Sequence, residues 1–105
     1  MGNLEYYHEM NDRLKELQNN YNNAIKKFDR NEAASIMKKG FDLGRHSSRI
    51  MYSEIMWMSE FADEVIDPER KRGVEERIAE LESMLDENLR IRRDFVIKIL
   101  QINLN

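Results

Sequence analysis

The sequence predicts an all-α fold in which three long helices run up, down and up in one antiparallel bundle. The chain has one proline and four glycines in 105 residues, so it holds little of the turn chemistry that a loop-rich fold needs. Apolar residues recur at alternating steps of three and four along three segments, which is the spacing of one helix face. Helix-start signals at residues 29–32 and 67–69 separate these segments. We therefore expect a single coiled-coil-like domain over residues 1–105.

The first helix is expected over residues 3–29, with Asn3 as its N-cap. Its apolar residues follow an uninterrupted seven-residue repeat, which predicts one buried seam along the helix. The seam comprises Tyr7, Met10, Leu14, Leu17, Tyr21, Ala24 and Phe28.

The second helix is expected over residues 31–66, after a capping box formed by Asp29 and Glu32. It has two apolar lines, and a helix that is apolar on two sides is expected to be buried on two sides. Gly40 and Gly44 each cost about 1 kcal/mol relative to alanine in a helix. A break near these glycines, giving four helices, is therefore the alternative. The first line is Ala34, Met37, Phe41, Gly44, Ser48, Met51, Ile55, Met58, Ala62 and Val65, and the second is Ile36, Leu43, Ile50, Trp57 and Phe61.

The third helix is expected over residues 68–103, because Asp67 is a good N-cap and Pro68 suits the first helical position. Antiparallel packing of sequential helices pairs Gly44 with Phe95 and Ser48 with Arg92. The third seam comprises Val74, Ile78, Leu81, Leu85, Asn88, Arg92, Phe95, Ile99 and Ile102.

Composition excludes several classes of site. Cysteine is absent, so a disulfide, a zinc–thiolate site and a thiol nucleophile are all excluded. No apolar run approaches the roughly 18 residues of a membrane span, and no signal-peptide pattern is present. We therefore expect a cytoplasmic protein that makes no membrane contact.

Charge is distributed unevenly along the bundle that the sequence predicts. Residues 24–49 and 89–105 meet at one end, where eleven basic and four acidic residues give +7. The remaining residues hold six bases and sixteen acids, or −10, although the whole chain is only −3. Clustered charge of one sign attracts oppositely charged partners. The candidate partner-binding residues at the basic end are Lys38, Lys39, Arg45, Arg90 and Arg93.

The chain has more apolar residues than one antiparallel seam can cover. The second line of helix two and the end of helix three supply this surplus, which indicates a homodimer. The candidate self-association residues are Ile36, Leu43, Ile50, Trp57, Val96 and Leu100.

Asn88 and Arg92 interrupt the third seam beside Gly44, Ser47 and Ser48. They form either a notch in which Arg92 binds a carboxylate or phosphate group, or a structural feature. The structural feature is a buried polar layer that fixes the register of the helices, or an arginine whose stem extends to solvent. No catalytic, cofactor-binding or metal-ligating residues are predicted. Glu60 and Asp63 share a helix face, as Mg²⁺-binding carboxylates do in all-α nucleotide hydrolases, but the EExxE motif that such enzymes carry on a facing helix is absent before them.

These observations favour a non-enzymatic interaction module that binds another protein and self-associates without a cofactor. Small regulators, inhibitors and adaptors of this size are often encoded by phages or mobile elements. The first alternative is a nucleic-acid-binding protein that uses its basic end. A Mg²⁺-dependent nucleotide hydrolase is a third hypothesis.

Overall fold

Three long α-helices make up the fold. The structure, a computed structural model, describes the backbone of residues 2–104 and the side chains of residues 4–101. Helix α1 spans Gly2–Lys26, α2 spans Arg30–Glu64 and α3 spans Pro68–Leu104. Each helix packs against the other two, and the bundle measures 58 × 25 × 15 Å. The predicted all-α three-helix bundle is confirmed. Ile102, the last residue of the predicted third seam, lies outside the described side chains.

Helix α2 continues without a break through both glycines, so the four-helix alternative is wrong. Gly40 and Gly44 are buried against α3. A methyl group on Gly40 would lie 3.5 Å from the ring of Phe95, and one on Gly44 would lie 2.7 Å from Nε of Arg92. The glycines therefore allow side chains of α3 to approach α2 closely. The predicted contact of Gly44 with Phe95 shifts by one helical turn, to Gly40.

The buried face of α2 corrects the predicted seam in its first half. The prediction holds at Gly44 and Met51, but Ser47 is buried in place of Ser48, and Ala33 is buried whereas Ala34 is exposed. Five turns of a straight α-helix span about 18 residues, so position 33 lies on the same side as Met51. A strict seven-residue repeat would instead place Ala34 on the side of the helix that holds Met51. The buried residues of α2 are Ala33, Ile36, Gly40, Gly44, Ser47, Met51, Ile55 and Ala62.

The core consists of two apolar clusters, one in each half of the bundle. Leu43 is half-buried and packs against both. The cluster near the α1–α2 turn comprises Leu17, Tyr21, Ala24, Ala33, Ile36, Phe95 and Ile99. The other comprises Tyr7, Met10, Met51, Ile55, Leu81 and Met84. Both clusters use side chains from all three helices, so no two helices would complete either one.

The α1–α2 turn overturns the prediction that Phe28 belongs to the first seam. Helix α1 ends at Lys26, where the N–H of Phe28 donates to the carbonyl of Ile25 and that of Asp29 to Ala24, both at 3.0 Å. This pattern is a Schellman motif. It places Phe28 at φ 58°, and its side chain is 90% exposed. The left-handed residue turns the chain away from the core.

Both predicted helix starts are confirmed by their capping hydrogen bonds. The N–H of Glu32 donates to Oδ1 of Asp29 at 3.0 Å, and the N–H of Glu69 donates to Oδ1 of Asp67 at 3.2 Å. Pro68 is the first residue of α3. None of the helices that the structure describes is long and apolar enough to cross a membrane.

Candidate functional site

A buried polar layer crosses the middle of the bundle. Nδ2 of Asn88 donates to Oδ1 of Asn11 at 2.9 Å and to Oγ of Ser47 at 2.8 Å. Nδ2 of Asn11 donates in turn to the carbonyl of Met84 at 3.2 Å. Asn11, Ser47 and Asn88, which we call the polar layer, are each at most 1% exposed. Each helix thus contributes one side chain to a single hydrogen-bonded set.

The polar layer fixes the relative register of the three helices. A shift of any helix would leave buried amide groups without partners, at a cost of about 1–3 kcal/mol each. Asn88 was predicted from the sequence to lie in such a layer, whereas Asn11 was not. The signal for Asn11 was its position four residues after Tyr7 and three before Leu14, which places it on the same face as both.

Arg92, one turn after Asn88, behaves differently. Its stem lies over Gly44, and its Nη1 donates to Oγ of Ser48 at 2.9 Å. Burial lowers the pKa of Arg92 from its ordinary value, and the nearby charge of Arg45 lowers it further. No carboxylate of the described residues forms an ion pair with Arg92. The guanidinium group is therefore a half-buried cation to which the described chain supplies no counter-ion.

An open groove of about 270 Å³ lies between α2 and α3 beside Arg92. Buried side chains form its floor, and exposed apolar side chains form its walls. Two guanidinium groups supply its basic character. The floor comprises Leu14, Gly40, Ile91 and Phe95, the walls comprise Phe41, Leu89 and Val96, and the basic residues are Arg92 and Arg93.

The groove continues along a line of residues on each of the two helices. The line on α3 is Glu82, Leu85, Leu89, Arg93, Val96 and Leu100, and that on α2 is Phe41, Arg45, Tyr52, Met56 and Asp63. We call these two lines the α2–α3 face, because steps of three, four and seven keep each set on one side of its helix. Tyr52, Met56, Leu85 and Leu89 lie between a basic pair, Arg45 and Arg93, and an acidic pair, Asp63 and Glu82. The other apolar residues, Phe41, Val96 and Leu100, lie beyond the basic pair.

The five candidate partner-binding residues do not form one patch. Arg93 lines the groove, and Arg45 lies close enough to Arg92 to lower its pKa. Lys39 lies instead between α1 and α2 beside Arg13 and Leu17. The remaining two, Lys38 and Arg90, are exposed, and the charge of Arg90 acts on the Lys15–Glu87 pair. Only Arg45 and Arg93 of the predicted set therefore lie beside the groove.

The candidate self-association residues also divide between faces. Ile36 is a core residue, and Leu43 and Ile50 are half-buried against the core. Val96 and Leu100 lie on the α2–α3 face. Trp57 follows Phe41 by 16 residues, which is about 160° around a helix at 3.6 residues per turn, so it points away from that face. The sequence suggested one surface because both sets are apolar.

Trp57 and Phe61 form an exposed aromatic pair near the end of α2. Their rings are stacked, with centroids 5.8 Å apart and planes 5° from parallel. Glu60 and Glu64 lie beside them. Within the described residues no three acidic or histidine side chains are close enough together to hold a metal ion.

Polar contacts between helices also occur outside the groove. The hydroxyl of Tyr7 donates to Oε2 of Glu54, and burial, together with this hydrogen bond, raises the pKa of Tyr7. Nζ of Lys15 lies 2.8 Å from Oε1 of Glu87. That contact raises the pKa of Lys15 and lowers that of Glu87. These pairs connect α1 to α2 and to α3, and their charges and hydrogen bonds are matched within the chain.

Comparison with protein-family models, with curated proteins and with solved structures found no match to this chain.

Proposed function

We propose that this chain is a non-enzymatic protein–protein interaction module, and that its groove between α2 and α3 binds an amphipathic helix with acidic residues. The observation that supports this most strongly is Arg92. Its guanidinium group is half-buried at the groove and has no carboxylate partner among the described residues.

The shape and chemistry of the groove define the partner. An amphipathic helix binds a groove between two helices through apolar residues spaced three or four apart. Phe41, Leu89 and Val96 supply apolar walls for such residues. A carboxylate on the partner would accept hydrogen bonds from Arg92 or Arg93, and paired charges of this kind are stronger than neutral hydrogen bonds. Such a carboxylate would also offset the burial that lowers the pKa of Arg92.

A module of this kind acts by covering part of its partner. It would serve as a small regulator, inhibitor or adaptor in the cytoplasm, a compartment that suits a chain without cysteine. The net charge of +7 at the basic end would speed its association with an acidic surface.

Photo-crosslinking in the native host tests this proposal. The full chain would carry p-benzoylphenylalanine at Leu89, in the groove, or at Ala79, an exposed position of α3 that serves as the control. We expect an adduct from position 89 that is absent from position 79 and is lost with Arg93→Glu. Its crosslinked peptide should be an apolar helix with Asp or Glu residues. Equal adducts from both positions, or none from position 89, would overturn the proposal.

The net charge of +7 at one end also supports a second candidate function, binding to nucleic acid. Phosphate contacts make such binding strongly dependent on salt. A gel-shift titration with duplex and single-stranded DNA at low salt would detect it. If the chain binds duplex or single-stranded DNA, and the binding weakens as the salt concentration rises, this second function would be supported over the first.

A further inference from the structure

We propose that a second copy of this chain is a partner for the groove: two copies pair antiparallel through their α2–α3 faces, with the basic end of each over the acidic end of the other. This inference rests on the proposed function, because it names an occupant for the same groove. It is supported by the presence, on the α2–α3 face of one molecule, of a basic groove and of the acidic residues Asp63 and Glu82 further along the same face.

When one copy is rotated by 180° relative to the other, the basic residues of one α2–α3 face lie opposite the acidic residues of the other. Arg93 and Glu82 lie on the same line of α3, 11 residues apart, or about 16 Å along a helix at 1.5 Å per residue. Arg45 and Asp63 lie on the matching line of α2. A two-fold axis across the face, perpendicular to the helices, brings the end that holds Arg45 and Arg93 over the end that holds Asp63 and Glu82. A parallel pair would instead oppose like charges.

The apolar part of the face is also suited to a second copy. Its large apolar side chains are exposed, and three of them, Tyr52, Met56 and Leu89, lie between the basic pair Arg45 and Arg93 and the acidic pair Asp63 and Glu82. The exposed apolar residues of the α2–α3 face are Phe41, Tyr52, Met56, Leu89, Val96 and Leu100. The same two-fold axis places Tyr52, Met56 and Leu89 near their copies in the partner, as an isologous interface requires. It places Phe41, Val96 and Leu100 over the acidic end of the partner.

The bundle is long enough for an interface of ordinary size. A standard interface covers about 800 Å² of each partner. A face two helices wide is about 20 Å across, so about 40 Å of overlap would cover that area. The bundle is 58 Å long. An antiparallel pair can therefore overlap fully in the middle while its ends remain free.

The test uses two charge-reversal variants of the full chain. The first carries Arg45→Glu with Arg93→Glu, and the second carries Asp63→Lys with Glu82→Lys. All four residues are exposed, so each variant should keep its helicity and melting temperature, which circular dichroism checks. A control outside the α2–α3 face is Glu9→Lys with Glu16→Lys on α1, two exposed residues whose reversal changes the net charge by as much as the second variant does.

Sedimentation velocity at micromolar concentration and low salt then gives a specific pattern. We expect the wild type and the control to dimerise, and each variant alone to bind itself about ten-fold more weakly or worse, since it opposes like charges. An equimolar mixture of the two variants should recover wild-type affinity, because both ends are again opposite in charge. Weaker self-association of each variant than of the wild type is expected only for antiparallel pairing, because a parallel pair would oppose like charges in all three proteins.

Other outcomes overturn the inference in distinguishable ways. A wild type that stays monomeric, while Leu89 crosslinks to another protein, would remove the homodimer and leave the proposed function standing. Dimers that are unaffected by either variant would place self-association elsewhere. If Leu89 also formed no adduct, both the inference and the proposed function would fall.

Discussion

The side chain of Arg92 lies directly over Gly44, so that a methyl group at position 44 would stand 2.7 Å from its Nε and 2.9 Å from its Cδ. From this position Arg92 reaches Ser48 on the next turn of α2, at 2.9 Å. The missing side chain at position 44 gives the arginine stem its space. Gly44 therefore positions the cation that the proposed partner would bind.

Three glycine-to-alanine variants should separate helix propensity from packing. Alanine is favoured over glycine inside a helix by about 1 kcal/mol. A methyl group at position 73 would have no neighbour within 4 Å, and one at position 40 would lie at an ordinary contact distance, 3.5 Å, from the ring of Phe95. We expect Gly73→Ala and Gly40→Ala to raise the free energy of unfolding by about 0.5–1 kcal/mol. The free energy of unfolding of Gly44→Ala should be at least about 1 kcal/mol lower than that of Gly73→Ala, because the side chain of Arg92 must move.

Urea unfolding measures all three, and Arg92→Ala provides the control. In the Arg92→Ala background the clash is removed, so Gly44→Ala should become stabilising. A Gly44→Ala protein as stable as Gly73→Ala would show that Arg92 moves aside without cost and that Gly44 does not position it.

The polar layer should show strong coupling between Asn11 and Asn88. Asn88→Leu leaves the buried carbonyl of Asn11 without its donor, and should cost about 2 kcal/mol of unfolding free energy. Replacing both by leucine removes the polar pair together, so Asn11→Leu with Asn88→Leu should cost much less than the two single changes combined. Thermal and urea unfolding of the four proteins completes the cycle. Additive single effects would mean that the two amides do not act as a pair.

Phe28 should be a position where glycine stabilises the fold. Its backbone is left-handed at φ 58°, which costs a residue with a side chain about 1–2 kcal/mol. Its ring is 90% exposed, so little packing would be lost. Phe28→Gly should therefore raise the unfolding free energy by about 1 kcal/mol. Phe28→Ala keeps the strain and should show no such gain; equal gains from both variants would indicate that the ring, rather than the backbone, is unfavourable.

The sequence predicted the number and order of the helices because its capping signals are local. Asp29 and Asp67 accept hydrogen bonds from residues two or three positions away, and Pro68 fits only a first turn. The strict repeat failed at Phe28, where the helix ends, and where small differences in period accumulate, as at Ala33 and Ala34. A seven-residue count cannot record that drift.

The groove depends on which apolar residues share a side, and the sequence alone did not determine this. Phe41 was expected on the buried seam, yet it is 36% exposed as a wall of the groove. Trp57 was grouped with Val96 although the two lie on different faces. Arg92 was identified as unusual beforehand, but its two interpretations could be separated only by the contacts of Asn88 and Ser48.

Trp57 should therefore be independent of self-association. It is the only tryptophan, it is 65% exposed, and it points away from the α2–α3 face. Trp57→Ala should leave the dimer affinity unchanged, whereas Leu89→Ala should weaken it. Analytical ultracentrifugation of the two variants decides between the surfaces. A dimer lost with Trp57→Ala and kept with Leu89→Ala would restore the surface that the sequence first suggested.

The most direct test of the central claim, that the α2–α3 face is the binding surface, is methyl NMR of the leucine- and valine-labelled chain during dilution. The methyl signals of Leu89 and Val96 on that face should shift as the dimer dissociates, and the shifts should disappear in Arg45→Glu with Arg93→Glu. The signals of Leu4 and Val65, which lie off the face, should stay in place. Shifts at Leu4 and Val65 with none at Leu89 and Val96 would contradict the account.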